Sequence, residues 1–131
     1  MVTMTIVEDE GFERNALKQC IDWNLIGVEI VGEAANGAQG LSLVLEKKPD
    51  IVLTDVCMPV MNAIEMSKNI RNILPETKII FISSYDDFKY ARQGIRLNIS
   101  AYVTKPVKEE ELLRTVKKAV DEITERKMEQ K

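Results

Sequence analysis

Short apolar runs rich in Val, Ile and Thr alternate with helical patterns from one end of the chain to the other. The runs at 3–7, 28–34, 51–54, 78–82 and 101–104 are typical of strands, and a helical stretch follows each of them. Neighbouring parallel strands need long crossover connections, which these helices supply. The pattern therefore predicts an α/β fold: a five-stranded parallel sheet, doubly wound (βα)5, in the flavodoxin-like order 2-1-3-4-5.

The hydrophobic pattern also predicts how individual elements pack. The run at 28–34 alternates and is typical of an edge strand, whereas 51–54 and 78–82 are continuously apolar, as in strands covered on both faces. We expect the first helix to pack through one apolar face, made of Phe12, Ala16, Leu17, Cys20 and Ile21. The last helix has the clearest apolar stripe, formed by Leu112, Leu113, Val116, Ala119, Val120 and Ile123.

Length and composition limit the classes of function. The 131 residues suit one domain, which we expect at 1–124, with the polar segment 125–131 as a tail or the start of a linker. The absence of His excludes Ser-His-Asp and Cys-His sites and His metal ligands. With 18 Lys and Arg against 21 Asp and Glu, the chain lacks a basic footprint, so we expect no direct nucleic-acid binding.

The cysteines and the absence of long apolar stretches indicate a compartment. Cys20 and Cys57 form neither a disulfide framework nor a paired metal-ligand spacing, which favours the cytoplasm. We expect both cysteines to behave as small hydrophobic residues. The N-terminus reaches acidic residues too early for a signal peptide, and no stretch approaches the roughly 18–20 apolar residues of a membrane span.

Polar side chains follow the predicted strands at the edge where such folds bind ligands. Glu8 and Asp9 come after the first strand, and Asp55 comes after the third, which is its neighbour in the predicted order. We expect Asp9 and Asp55 to face each other, with Glu8 at the rim. Three carboxylates this close repel one another unless a cation lies among them, and all-oxygen ligation suits a hard cation such as Mg²⁺.

A hydroxyl and an ammonium group complete this edge. Ser83 follows the fourth strand and Lys105 the fifth. Beside a metal-bound carboxylate they form a pocket for a tetrahedral dianion, which indicates phosphoryl transfer to Asp55. Plainer roles stay open from the residues alone, because Ser83 and Ser84 could cap the next helix, Lys105 could lie on the surface and Tyr102 could simply pack.

Four motifs stand in order at the ends of the predicted strands: Glu8-Asp9-Glu10, Asp55-Val56-Cys57-Met58-Pro59, Ser83-Ser84-Tyr85-Asp86-Asp87 and Tyr102-Val103-Thr104-Lys105-Pro106. Each is weak alone, but together they resemble the receiver domain of two-component response regulators over nearly the whole chain. The stretches at 22–23, 31–37 and 85–91 look like receivers fused to AraC-type helix-turn-helix output domains.

The resemblance implies a phosphoacceptor and a metal site. Asp55 would accept a phosphoryl group in a Mg²⁺-dependent reaction. Asp9, Asp55 and the backbone carbonyl of Cys57 would bind the ion, and Glu8 would hold a metal-bound water. Glu8 departs from the Asp that is commoner in the family, and its longer arm could change the coordination of the metal.

The resemblance also implies a switch. Ser83 would hydrogen-bond a phosphoryl oxygen, Lys105 would pair with the phosphoryl group, and Tyr102 would turn inward when Ser83 moves. The Lys105-Pro106 bond is expected to be cis. Two loop positions depart from the family. Ala63 replaces a Gly, so if that Gly has positive φ, Ala63 would be strained or the loop remodelled. Asn98 also replaces a Gly, at a position where Asn can adopt the left-handed conformation.

Partners follow from the same resemblance. A sensor histidine kinase would donate the phosphoryl group, and an output domain of the full-length protein, an AraC-type DNA-binding domain, would receive the signal. A homodimer through helix 4, strand 5 and helix 5 is a further expectation. The chain would be a signalling switch and no enzyme, apart from self-catalysed phosphoryl transfer and dephosphorylation.

Two other classes of protein are weaker matches. Phosphatases that resemble haloacid dehalogenases carry a second Asp two residues after the nucleophile, where this chain has Cys57. A flavodoxin-type carrier needs a Ser/Thr-rich phosphate loop after the first strand, where this chain has an acidic cluster that would repel the phosphate of FMN.

Overall fold

The computed structural model describes residues 1–84 and 88–129. Residues 85–87, part of the AraC-type motif at 85–91, lie outside the described residues, as do the side chains of 88–91 and the end of the predicted tail at 130–131. Phe88 and Ala91, which mark the predicted fourth helix, are among these undescribed side chains, although their backbone is helical.

A single parallel sheet carries the fold. Its strands are β1 (Val2–Val7), β2 (Val28–Ala34), β3 (Ile51–Asp55), β4 (Lys78–Ser83) and β5 (Ala101–Thr104), in the order β2-β1-β3-β4-β5. All four neighbouring pairs are parallel. The predicted fold class and strand order are therefore confirmed, including the edge position of β2 and the burial of every residue of β3.

Helices connect and follow the strands: α1 (Gly11–Gln19), α2 (Gly37–Lys47), α3 (Ala63–Ile73), α4 (Phe88–Arg96) and α5 (Glu109–Glu129). A short 3₁₀ helix, Trp23–Ile26, was not predicted. The side chains of Asn36 and Asn62 accept hydrogen bonds from backbone N–H groups three residues on and so cap α2 and α3.

Successive side chains along the strands belong in turn to two separate hydrophobic core clusters. Ile6, Leu53 and Ile82 belong to the first cluster, together with Leu112 and Val116 of α5. The second cluster contains Val7, Val52 and Phe81 of the sheet with Met66 and Ile70 of α3. Because successive side chains of a strand point to opposite faces, the two clusters cover both faces of the sheet.

Helix α1 packs differently from the expectation. Phe12 is 88% exposed and neither core cluster includes it, so its predicted packing role is wrong. No α1 residue is buried, although Leu17 packs partly against the first cluster. The first turn of α1 follows the carboxyl end of β1 closely, where charged side chains gather instead of an apolar layer. Cys20 and Cys57 are both exposed, past the ends of α1 and β3, so they do not act as core residues.

The two loop departures have different outcomes. Asn98 has φ 57°, which confirms the left-handed conformation. Ala63 is not among the residues with positive φ and begins α3 instead. The positive φ in this loop falls on Val60 (69°), a β-branched residue that is 82% exposed. Such a conformation is sterically costly for Val, so the strain lies three residues before the expected position.

Helix α5 continues beyond the predicted boundary at 124. Residues 125–129 are helical, and two ion pairs hold this last stretch: Arg126 lies 2.7 Å from Glu76, and Lys127 lies 3.4 Å from Asp50. The helix thus includes residues 125–129, and the domain boundary at 124 with its linker stays a prediction.

Arg71 joins the end of α3 to the end of α4. Its guanidinium donates to the backbone carbonyls of Pro75 (3.2 Å), Leu97 (3.2 Å) and Asn98 (3.0 Å), and also to that of Thr77. Desolvation by burial lowers the pKa of Arg71. A single side chain thus satisfies backbone acceptors at two helix ends.

We expect Arg71→Lys to lower the free energy of unfolding by about 1–3 kcal/mol, because an ammonium group lacks the planar fork that reaches these acceptors. Urea unfolding followed by circular dichroism measures the change. Arg114→Lys, at an exposed position of α5, is the matched control and should change stability little. Equal losses of unfolding free energy in the two variants would contradict a stabilising role for the Arg71 hydrogen bonds.

Candidate functional site

The acidic residues meet at the carboxyl ends of β1 and β3. These strands are neighbours, with Ile6 opposite Leu53 and Val7 opposite Thr54. The strand order therefore brings Glu8, Asp9 and Asp55 together, and one carboxylate oxygen of each lies within 4.8 Å of the other two. The oxygen-only ligand set and the excess negative charge both fit a hard divalent cation, so this cluster could hold a metal ion.

The sequence analysis predicts Glu8 at the rim of the site, but in the structure Glu8 is buried. It is 1% exposed, while Asp9 keeps partial exposure. The chain continues the β1 ladder for one more residue, since the Glu8 N–H donates to the Ala34 carbonyl at 3.0 Å. The two-residue period of a strand then places Glu8 on the same face as Ile6, above the first core cluster. Its carboxylate accepts a hydrogen bond from the Glu10 N–H at 3.1 Å.

Lys105 supplies the positive charge of the site. Its Nζ lies 3.4 Å from Asp55 Oδ1, 3.5 Å from Glu8 Oε1 and 3.0 Å from Glu13 Oε2. The Lys105-Pro106 peptide bond is cis, as expected. Lys105 thus contacts two of the three clustered carboxylates and one acid from α1.

Glu13 was not predicted as a site residue. It belongs to the first turn of α1, and its contact with Lys105 is the shortest ion pair that Lys105 makes with a described residue. Because α1 begins four residues after β1 ends, its first turn stays close to the strand ends. The signal in the sequence was a further acid shortly after Glu8-Asp9-Glu10, which resembles an ordinary helix N-terminus.

Burial and crowding change the ionisation of the cluster. Burial, a hydrogen bond with Asp9 and the charge of Asp55 raise the pKa of Glu8 to about 8. Burial also raises the pKa of Asp55, although Lys105 opposes this shift. Burial acts to lower the pKa of Lys105, but its ion pairs with Glu13, Asp55 and Glu8 outweigh burial and raise it. One ammonium group therefore faces more negative charge than it can neutralise.

Ser83 and Tyr102 belong to β4 and β5, the next two strands of the sheet. Ser83 ends β4 and is fully buried, and its hydroxyl donates to the Ser84 carbonyl at 3.3 Å. Tyr102 is half-buried and packs against the second core cluster. Because Phe81 pairs with Tyr102 in register, the side chains of Ser83 and Tyr102 belong to the same face of the sheet. Cys57 lies in the exposed loop two residues after Asp55.

A cavity opens beside the ion pairs, beneath α1. Its volume is about 650 Å³, and it is lined by Glu8, Glu13, Ala16, Leu17, Cys20, Ile21, Ile82, Lys105, Pro106, Val107 and Glu109. Four of the five apolar residues that were expected to pack α1 against the sheet thus line this space, and Phe12 does not. Helix α1 is held by polar contacts together with the partial packing of Leu17.

Comparison with known proteins agrees with this geometry. The family model described as "Response regulator receiver domain" matches residues 4–117. The fold and the carboxylate cluster beside a Lys are those of a phosphorylation-dependent signalling module. The chain belongs to the response regulator receiver domain family, which confirms the resemblance noted in the sequence.

Individual relatives are similar over most of the chain. The REC domain of AraT, a response regulator from Geobacillus stearothermophilus, is 36% identical with a TM-score of 0.88, covering 98% of this chain and 99% of that one. Transcriptional regulatory protein HptR of Staphylococcus aureus is 35% identical over 107 residues, which are 82% of this chain and 42% of HptR. The uncharacterized transcriptional regulatory protein YesN of Bacillus subtilis is 27% identical over 123 residues, 94% of this chain and 33% of YesN.

The chain thus corresponds to between a third and a half of these curated relatives. It is a receiver domain of the kind found in transcriptional regulators, a signalling module. Among the residues that the structure describes, no helix is both long enough and apolar enough to cross a membrane.

The raised pKa of Glu8 predicts how the stability of the metal-free protein depends on pH. Between pH 4.5 and about 8, Glu8 is ionised in the unfolded chain but protonated in the folded one. Folding then takes up a proton, so stability falls as the pH rises, by up to about 1.4 kcal/mol per pH unit. Glu8→Gln should remove this component and be more stable than the wild type at pH 8.

Urea unfolding in the presence of a chelator, at several pH values across this range, measures the slope. Glu10→Gln removes an exposed carboxylate two residues away and should keep the slope of the wild type. A Glu8→Gln protein with an unchanged slope would contradict a buried, protonated Glu8.

Proposed function

We propose that this chain is the phosphoacceptor of a two-component system and that Asp55 receives the phosphoryl group. The observation that carries the proposal is the position of Asp55: it ends a fully buried strand, beside two further carboxylates and 3.4 Å from Lys105 Nζ. A solvated loop carboxylate would have none of these neighbours. A nucleophilic carboxylate needs such charge control, because the group that it attacks is itself anionic.

The phosphodonor is a phosphohistidine of a sensor histidine kinase, as the resemblance to response regulators implies. A carboxylate oxygen of Asp55 attacks phosphorus, so an O–P bond forms while the N–P bond of the donor breaks. The electron pair stays on the imidazole nitrogen, which takes up a proton from solvent. Later attack of water on phosphorus hydrolyses the aspartyl phosphate and regenerates Asp55.

Residues around Asp55 have separate roles. Lys105 pairs with the phosphoryl oxygens, and the Ser83 hydroxyl donates a hydrogen bond to one of them. Asp9, Asp55 and the Cys57 carbonyl would hold Mg²⁺, with Glu8 acting through water. Bound Mg²⁺ would neutralise charge on the transferring phosphoryl group.

The signal passes from this site to the surface of α4, β5 and α5. Movement of Ser83 toward the phosphoryl group leaves room on its face of the sheet, and Tyr102 on the same face turns inward. The altered surface controls a homodimer contact and an output domain in the longer protein. The related transcriptional regulatory proteins are two to three times as long as the part that this chain matches, which supports an output domain. The sequence resemblance implies that this output domain is an AraC-type DNA-binding domain and that the protein works in the cytoplasm.

Incubation with acetyl phosphate and Mg²⁺ tests the phosphoacceptor directly. We expect one phosphoryl group per chain in the wild type and none in Asp55→Asn, because an amide oxygen is a poor nucleophile. Intact-mass spectrometry measures the label, and a chelator should suppress it. Asp121→Asn, which changes an exposed Asp of α5, is the matched control and should be labelled normally. Undiminished labelling of Asp55→Asn would refute the assignment.

A further inference from the structure

Helix α1 is attached along its two flanks by ion pairs. On one flank, Arg14 and Lys18 lie 3.2 Å and 2.9 Å from the two carboxylate oxygens of Glu33 on β2. On the other flank, Glu13 lies 3.0 Å from Lys105, which follows β5. Between these flanks no α1 residue is buried, and the cavity of about 650 Å³ lies beneath the helix.

Helix α1 is also held by a hydrogen bond from Arg14 to the Glu8 carbonyl (2.8 Å), by one from the Trp23 indole to the Leu17 carbonyl (2.9 Å) and by the partial packing of Leu17. The Glu13–Lys105 ion pair is thus one of a limited set of contacts that attach the helix.

One of these contacts uses the same ammonium group that the phosphorylation site requires. Among its ion pairs with described residues, Lys105 is nearer to Glu13 (3.0 Å) than to Asp55 (3.4 Å) or Glu8 (3.5 Å). A phosphoryl group on Asp55 adds a second negative charge and three acceptor oxygens beside Lys105. An ammonium group has three N–H donors, so the phosphoryl oxygens compete with Glu13 for them.

We propose that the Glu13–Lys105 ion pair is a latch between α1 and the phosphorylation site. Lys105 holds α1 through Glu13 while Asp55 is unmodified and exchanges Glu13 for phosphoryl oxygens when Asp55 is phosphorylated. The inference rests on the proposed function of Asp55. Glu13 is thus a positioning residue that acts through Lys105 and does not touch the reacting atoms.

Linkage makes the latch act in both directions. A contact that exists only in the unmodified form opposes phosphorylation by the same free energy with which phosphorylation loosens α1. Glu13 is 49% exposed, so the pair is partly screened by solvent. Loss of such a pair corresponds to roughly a two- to fivefold change in an equilibrium. Removing Glu13 should therefore favour the phosphorylated form by that factor.

The first measurement compares phosphorylated fractions at steady state with acetyl phosphate and Mg²⁺. We expect the ratio of phosphorylated to unmodified protein to be roughly two- to fivefold higher in Glu13→Gln than in the wild type. Glu10→Gln removes an equal charge from the neighbouring segment, where no ion pair with Lys105 is formed, and should match the wild type. High salt should reduce the difference, because it screens the exposed pair.

The second measurement reports on α1 itself. Amide hydrogen exchange in α1 should become faster when the wild type is phosphorylated, because the latch is released. In Glu13→Gln the exchange should already be fast in the unmodified protein and should change little on phosphorylation. A side chain that only stabilised the fold would not produce a response that depends on phosphorylation.

The outcomes separate the latch from the function on which it rests. If the wild type is labelled at Asp55 but Glu13→Gln has the same ratio as Glu10→Gln, or α1 exchange ignores phosphorylation, the latch is overturned and the phosphoacceptor remains. If Asp55 of the wild type takes no label at all, the proposed function fails and the latch fails with it.

Discussion

The site depends on the attraction of one ammonium group for several crowded carboxylates. Strands β1 and β3 are neighbours because the chain winds outward in both directions from them, and this order brings Glu8, Asp9 and Asp55 to one edge. Burial raises the pKa of Glu8 and of Asp55, repulsion among the carboxylates adds to this effect, and Lys105 from the end of β5 opposes it. The sheet must be stable enough to hold this unfavourable group in place, and its two apolar clusters provide that stability.

The excess negative charge of the site favours the binding of positive species. Three such species are a proton on Glu8, a divalent cation among the carboxylate oxygens and the ammonium group of Lys105. These compete for the same carboxylates, so a change in one alters the others. The same logic extends to α1, whose acid Glu13 shares Lys105 with the cluster. A helix that lacks a buried face can respond to such competition, whereas α3 or α5, which have buried residues, cannot do so easily.

The fold followed from local pattern because the pattern is consistent along the whole chain. Five β-branched runs and intervening amphipathic stretches allow few parallel topologies, and Asp9, Asp55 and Lys105 follow from the strand ends. Contacts that depend on how the elements pack against one another could not be predicted from the local sequence pattern. The depth of Glu8 depends on one extra ladder hydrogen bond, the exposure of Phe12 depends on how far α1 projects, and Glu13 joins the site only because its helix turns back over the strands.

Helix α5 reaches from one edge of the sheet to the other. It begins at Glu109, three residues after the cis Lys105-Pro106 bond, and its 21 residues extend roughly 31 Å along the sheet at the usual helical rise. Its far end is fastened to Asp50 and Glu76, which precede β3 and β4 at the amino edge. The first residue of α5 thus follows closely on Lys105 of the candidate site, and its last turns contact residues at the amino edge of the sheet. Helix α5 therefore spans the sheet from the loop after Lys105 to the loops that precede β3 and β4.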